Sequence, residues 1–165
     1  MSTNVRAIPE GYRSVSPAIT CKNAVSAIDF YKKVFGATEF GRMDGPDGKV
    51  MHAELQIGDS RIFIGDEYPG MSQAPDSQTP AGAKGFGIFV YTEDVDSVVQ
   101  RAIDAGARMD MPVQIMFWGD RYGKFTDPFG HSWAVATHVE DVAPEEMHRR
   151  SQSFSKQMAQ SAGQS

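Results

Sequence analysis

The chain has 165 residues, of which 41% are hydrophobic and 22% are charged, and its formal net charge is −5. This length is typical of one folded domain, and the acidic balance disfavours binding to nucleic-acid phosphates, since the only basic patch is "HRR" at 148–150. The sequence shows no export signal and no membrane-spanning run, and Cys21 is its single cysteine, so we expect a cytoplasmic protein with no nucleic-acid and no membrane partner.

The segment from about residue 14 to residue 67 predicts a strand, a helix and then three strands. Apolar residues recur at helical spacing before Gly36, a typical stop: Ala24, Ile28, Tyr31 and Phe35. The following stretch "VMHAELQIG" alternates as a strand does. Its apolar face carries Met51, Ala53, Leu55 and Ile57. Its second face carries Val50, His52, Glu54 and Gln56, and we expect this face to line a cavity or meet solvent.

The segment from about residue 85 to residue 138 predicts the same order of elements. Its helical positions end before Gly106 and are Val95, Val98, Ala102 and Ala105. Gly36 and Gly106 are 70 positions apart, and Val25 meets Val95 at the same offset. This spacing indicates an internal duplication of a β-α-β-β-β unit.

Two further segments complete the chain. Residues 68–84 are rich in Pro, Gly and Ser and predict a linker. Residues 143–165 predict a C-terminal helix, with Pro144 in its first turn, and a flexible tail. The apolar stripe of this helix is thin (Met147, Phe154 and Met158), which suits either a helix lying along its own subunit or a dimer contact.

Three stretches together resemble the vicinal-oxygen-chelate superfamily, which includes glyoxalases, bleomycin-resistance proteins and extradiol dioxygenases. They are "AIDFYKKVFGATE" at 27–39, "EDVDSVVQRAIDAGAR" at 93–108 and "DPFGHSW" at 127–133. The stretches at 47–67 and 116–131 are most similar to the PhnB-like branch.

The resemblance implies an α+β fold with two βαβββ modules, whose curled mixed sheets surround a shared cavity, plus the C-terminal helix. It places one domain at 12–142, after an N-terminal extension at 1–11, and it implies a homodimer.

Enzymes of this superfamily commonly bind a divalent metal through the first and fourth strand of each module. Counting from the shared motifs, the matching positions here are Ser16, Phe63, Gly87 and Ala134. None of these residues is a metal ligand of the usual kind, so we expect no metal cofactor, with a displaced divalent metal as the alternative.

Strand alternation from those positions predicts which side chains face the helices and which face the cavity. The helix-facing set is bulky and apolar: Ile19, Cys21, Ile62, Ile64, Ile88, Val90, Trp133 and Val135. The cavity-facing set mixes small, aromatic and polar residues: Ser16, Ala18, Thr20, Arg61, Phe63, Gly87, Phe89, Tyr91, Ser132, Ala134 and Ala136. Such a mixture favours a ligand pocket over a filled barrel.

Eight residues are the candidates for ligand binding: His52, Glu54, Phe63, Phe89, Phe117, Trp118, Arg121 and Tyr122. His52 and Glu54 suit orientation of a ligand or acid–base work, or else ordinary cross-strand hydrogen bonds. Arg121 suits an anionic group, or else an ion pair with Asp120 or Asp127. No catalytic residue is assigned, and we interpret His131 as a turn residue that hydrogen-bonds locally.

The leading hypothesis is a metal-free protein that sequesters or recognises a planar or anionic small molecule. The alternative is a glyoxalase-like lyase, isomerase or dioxygenase with a displaced metal site. A third hypothesis is an interaction protein that works through the C-terminal helix.

Overall fold

The computed structural model describes residues 7–45, 47–67 and 86–162. The chain divides into two compact units between residues 83 and 84. The predicted linker at 68–84 lies outside the described residues, as do residues 1–6 of the N-terminal extension and residues 163–165 of the predicted tail.

The first unit has one helix and one four-stranded mixed sheet. Its elements are β1 (Ala18–Cys21), α1 (Ala24–Phe35), β2 (Thr38–Asp44), β3 (Val50–Ile57) and β4 (Ser60–Asp66). The strand order is β1-β4-β3-β2, in which β1 pairs parallel with β4 and the other neighbours are antiparallel. The predicted order of a strand, a helix and three strands is confirmed.

Two side chains and one glycine fix the ends of α1. The Asn23 side chain accepts a hydrogen bond from the amide of Ser26, as an N-cap residue does. The buried Asp66 carboxylate accepts from the amides of Ala24, at 2.8 Å, and of Val50, at 2.7 Å, and so ties the helix start to β3 and β4. The helix ends at Gly36, whose φ of 66° is left-handed.

The second unit repeats this plan and adds a C-terminal helix. Its elements are β5 (Ile88–Tyr91), α2 (Val95–Asp104), β6 (Arg108–Ile115), β7 (Asp120–Thr126), β8 (Ser132–His138) and α3 (Pro144–Ala162). The strand order is β5-β8-β7-β6, with β5 parallel to β8. The α+β fold of two βαβββ modules with a C-terminal helix is confirmed.

The offset between the two repeats differs at the two ends of the helices. The N-cap residues Asn23 and Asp94 are 71 positions apart, whereas the two glycine stops are 70 apart. The predicted match of Val25 with Val95 is therefore wrong, since Val25 is 38% exposed and Val95 only 1%. Ala24 is the structural counterpart of Val95, because the N-cap sets the register of each helix.

The helix-facing side of each sheet forms the core, largely as the alternation predicts. Ile19, Cys21, Ile62, Ile64, Trp133 and Val135 are all buried, whereas Ile88 and Val90 are only partly covered. Ala136, predicted to face a cavity, is fully buried. A cavity shared by the two modules stays a prediction.

The predicted faces of β3 are wrong at its start. Met51 is 37% exposed and Val50 is fully buried, the reverse of the expected pattern. The pairing of β2 with β3 is irregular here, because Met43 pairs with His52 and Asp44 pairs with Val50. Met51 therefore has no partner among the described residues of β2, and the faces of Met51 and Val50 are exchanged relative to regular alternation. Such a bulge cannot be predicted from the alternation of the sequence.

Helix α3 contacts its own unit through Phe154, whose ring centroid lies 5.1 Å from that of Phe117. Arg150 adds ion pairs to Glu140, at 2.8 Å, and to Glu146, at 2.7 Å. The contacts of Phe154 with Phe117 and of Arg150 with Glu140 favour a helix that lies along its own subunit, and the alternative of a dimer contact stays a prediction. In the described parts of the chain, no helix has the length and apolar character needed to cross a membrane.

Candidate functional site

Polar and aromatic side chains gather on the sheet face of the first unit that points away from α1. Glu54 is their centre: it accepts hydrogen bonds from the Tyr12 hydroxyl and from Arg61 Nη1, the latter at 3.1 Å. His52 Nε2 lies 3.5 Å from Glu54 Oε1, and the His52 ring centroid lies 5.3 Å from that of Phe63. The predicted residues His52, Glu54 and Phe63 are therefore brought together.

The contacts of Glu54 hold its carboxylate in the charged form. The hydrogen bond from Tyr12 is the main cause that lowers the pKa of Glu54, and His52 and Arg61 lower it further against the opposing effect of burial. The same hydrogen bond raises the pKa of Tyr12. Glu54 is thus a fixed, ionised acceptor and does not supply a proton near neutral pH.

Arg61 is the second charged group of this face and is tightly enclosed. Its guanidinium carbon lies 4.3 Å from the ring centroids of both Tyr12 and Phe40, a double cation–π contact. Its Nε is buried, and no described group is a hydrogen-bond partner for it. The sequence predicted Arg61 on this face but did not predict its contacts with the rings of Tyr12 and Phe40. Tyr12 directly follows the predicted N-terminal extension, and no periodic pattern includes it.

The corresponding face of the second unit is aromatic. Here the term aromatic face denotes Phe89 and Tyr91 on β5, Tyr122 on β7 and Trp118 just before β7. The ring centroid of Phe89 lies 4.9 Å from that of Tyr91 and 5.8 Å from that of Tyr122. The ring centroids of Trp118 and Tyr122 lie 5.6 Å apart. Strand β8 runs between β5 and β7 and carries only Ala134 and Ala136 opposite these rings, so the rings meet across it.

Asp120 anchors one end of the aromatic face. Its carboxylate is only 2% exposed, and it accepts hydrogen bonds from the Tyr91 hydroxyl and Trp118 Nε1, each at 2.9 Å. His138 Nδ1 lies 2.8 Å from its other oxygen. Burial raises the pKa of Asp120, but the three hydrogen bonds outweigh it, and the pKa lies below the ordinary value. The buried carboxylate is therefore ionised and orients two aromatic rings and one imidazole.

His138 is not among the residues predicted from the sequence, and the structure places it at the end of β8 on the same sheet side as the aromatic face. The available signal was strand alternation, because His138 follows Ala136 by two residues on one strand. Its Nε2 lies 3.0 Å from the carboxylate of Asp141, which is fully exposed. The hydrogen bonds to Asp141 and to Asp120 raise the pKa of His138.

Arg121 lies on the opposite side of the sheet from the aromatic face. Its guanidinium makes two hydrogen bonds to Asp96 of α2, at 2.5 and 2.6 Å. The predicted pairing with Asp120 or Asp127 is therefore wrong. Asp120 has the opposite strand parity and faces the aromatic side, whereas Asp127 bonds the turn before β8 and Trp133. The role of Arg121 as an anion anchor stays a prediction. Phe117 contacts Trp118 edge-on at 5.1 Å and links it to α3.

His131 lies in the turn that precedes β8 and contacts Asp127. Its amide donates to Asp127 Oδ1 at 2.9 Å, and its Nδ1 lies 3.4 Å from Oδ2. Asp127 also accepts from the amide of Phe129 and from Trp133 Nε1, each at 2.9 Å. The interpretation of His131 as a locally bonded turn residue is confirmed.

The four positions that match the metal ligands of the superfamily do not fit a metal. They carry a hydroxyl, a phenyl ring, a glycine and a methyl group (Ser16, Phe63, Gly87 and Ala134), none of which holds a divalent ion well against water. His52 and Glu54 are poor substitutes, because the Arg61 cation already bonds Glu54. Within 7–45, 47–67 and 86–162, no group of three His, Cys, Asp or Glu residues is arranged to hold a metal ion.

Comparison with known proteins gives the relatives of this chain. An uncharacterized protein of Mycobacterium bovis is 40% identical over 136 residues, which cover 81% of this chain and 89% of that protein. The crystal structure of protein PA1353 of Pseudomonas aeruginosa is 25% identical, with a TM-score of 0.61 over 78% of this chain and 99% of that one.

The PhnB protein of Bacillus cereus shares the fold, with 16% identity and a TM-score of 0.61 over 76% of this chain and 99% of that one. The family model described as the Glyoxalase/Bleomycin resistance protein/Dioxygenase superfamily matches residues 14–135. The predicted family is thereby confirmed: the chain belongs to the Glyoxalase/Bleomycin resistance protein/Dioxygenase superfamily.

Proposed function

We propose that this protein binds a planar small molecule without a metal, in order to sequester or recognise it. The observation that carries the proposal is the aromatic face, where Phe89 is 47% exposed and Tyr91 is 63% exposed. Exposed rings packed side by side on a sheet provide a stacking surface, and a contiguous exposed apolar patch of this kind is typical of a binding site.

The anchoring of these rings supports the proposal further. Tyr91 and Trp118 both donate to the buried Asp120, so each ring has a fixed orientation before a ligand arrives. Groups that are already ordered lose little conformational entropy on binding, and this raises affinity. A patch that served only to cover the sheet would not require its polar edges to be tied to a buried charge.

The first unit offers a second candidate surface within the same proposal. The half-exposed imidazole of His52 lies beside the Phe63 ring, with Glu54 fixed behind it. A flat ligand that stacks on Phe63 is within reach of the His52 ring nitrogens. We rank this surface below the aromatic face, because the charge of Glu54 is already paired with that of Arg61.

The proposal includes metal-independent binding, because the four residues at the superfamily's metal positions do not fit an ion. The competing function is a glyoxalase-like enzyme with a displaced metal. Assembly as a homodimer and a cytoplasmic location belong to the proposal as well and follow from the family resemblance and the sequence.

A thermal-shift screen of planar aromatic compounds, run with and without a chelator, tests the proposal. A ligand that binds only the folded protein stabilises it by about 2.7 kcal/mol at one hundred times its dissociation constant. We expect at least one compound to raise the unfolding temperature, by the same amount with EDTA present. Two results would contradict the proposal: no compound in the series shifts the transition, or EDTA abolishes the shift and a divalent ion restores it.

A further inference from the structure

An exposed carboxylate contacts the one imidazole at the edge of the aromatic face. Asp141 lies in the segment between β8 and α3, and its side chain is fully exposed to solvent. It nevertheless lies 3.0 Å from Nε2 of His138, whose Nδ1 faces the buried Asp120. The imidazole therefore lies between a buried carboxylate that fixes it and a surface carboxylate that water can replace.

We infer that Nε2 of His138 binds a carboxylate or phenolate group of the ligand. Asp141 holds this position until the ligand replaces it. This inference rests on the proposed function and names its ligand class: a planar aromatic anion whose ring lies on the aromatic face. The exchange of one carboxylate for another conserves the charge-assisted hydrogen bond to His138.

The geometry supports an anion at this place in two ways. First, the buried Asp120 bonds Nδ1, so the ring orientation is set and Nε2 is the nitrogen that faces the exposed Asp141. A carboxylate behind a histidine fixes its orientation and favours its cationic form in the same manner elsewhere in proteins. Second, Asp120 also accepts from the Tyr91 hydroxyl and from Trp118 Nε1, so the rings and the imidazole share one anchor.

Asp141 is suited to be displaced. Its carboxylate is solvated, so giving up one contact with His138 costs it little, since water screens an exposed ion pair and takes the place of the lost partner. Asp120, by contrast, is buried and bonded three times. An incoming anion therefore replaces Asp141 and leaves Asp120 in place.

The test compares two probes of matched ring, 1-naphthoate and the neutral 1-naphthylmethanol, by calorimetric titration near pH 6. A histidine with a raised pKa is cationic at that pH. We expect His138→Gln to weaken naphthoate binding about tenfold and to change naphthylmethanol binding less than about twofold. Asp141→Asn removes the internal competitor, so naphthoate binding strengthens by about threefold.

The pH dependence gives a readout that a structural role of His138 would not produce. The groups that face this imidazole are Asp120 from β7, with Tyr91 of β5 bonded to the same carboxylate, and Asp141 after β8. Both carboxylates raise the pKa of His138, so the cation persists to higher pH than in a free histidine. Naphthoate affinity falls as the pH rises through that pKa, whereas naphthylmethanol affinity stays level.

His148→Gln is the matched control, because His148 lies exposed on α3 and contacts Gln152 there. It leaves both affinities unchanged. If His138→Gln leaves naphthoate affinity intact, or if both probes bind the native protein equally, the inference is wrong while the proposed function stands. If neither probe binds the native protein, the inference is wrong, and the thermal-shift series decides the proposed function separately.

Discussion

Replacement of Asp127 by alanine is expected to lower the free energy of unfolding by about 3 kcal/mol or more. Asp127 is 3% exposed and accepts from the amides of Phe129 and His131 and from the indole of Trp133. Trp133 is fully buried, so its indole N–H would lose its bond to the carboxylate where water cannot easily replace it. Urea denaturation followed by circular dichroism measures the change.

Two further variants are controls with which the loss of unfolding free energy in Asp127→Ala can be compared. Asp127→Asn keeps one carbonyl oxygen and is expected to cost about half as much, because fewer donors lose their acceptor. Asp59→Ala, at the exposed turn between β3 and β4, is expected to stay within about 0.5 kcal/mol of the native protein. A loss for Asp127→Ala no larger than for Asp59→Ala would show that the turn does not depend on this carboxylate.

Trp118→Ala is expected to weaken the binding of 1-naphthylmethanol about tenfold, or about 1.4 kcal/mol. The substitution removes a ring whose centroid lies 5.6 Å from that of Tyr122. It also removes the hydrogen bond that Trp118 Nε1 donates to Asp120. The ligand thereby loses stacking area, and the Tyr122 ring loses a neighbour. Calorimetric titration of the purified variant gives the change in dissociation constant.

Trp118→Phe separates the two contributions. It keeps an aromatic ring and removes only the N–H donor, so it is expected to retain most of the affinity that Trp118→Ala loses. Equal affinity in the native protein and in Trp118→Ala would exclude stacking on the aromatic face as the source of binding. An equal loss in both variants would assign the effect to the bond with Asp120.

The fold is readable from the sequence because local signals are strong and agree. Gly36 and Gly106 end helices after apolar positions at helical spacing, and the buried residues of β1 and β4 alternate as expected. The failures have local causes. The irregular pairing beside Met51 inverts one strand face, and the N-caps shift the helix register by one residue.

The candidate site is less predictable because its contacts are distant in sequence. Tyr12 reaches Glu54 across 42 positions, and Tyr91 reaches Asp120 across 29. Single-sequence periodicity assigns a residue to a face but does not choose its partner. Arg121 is an example. Its spacing of four residues from Phe125 on β7 places both on the sheet face that packs on α2, but only the folded structure identifies Asp96 as its partner.

The most direct measurement is a nuclear magnetic resonance titration of the isotope-labelled protein with 1-naphthylmethanol in EDTA buffer. We predict that the largest shift changes fall on the amides of Phe89, Tyr91, Trp118 and Tyr122 and on the Trp118 indole, with saturation reached in the absence of any divalent ion. Shift changes that appear only after a metal is added, or that spare all four residues, would contradict it.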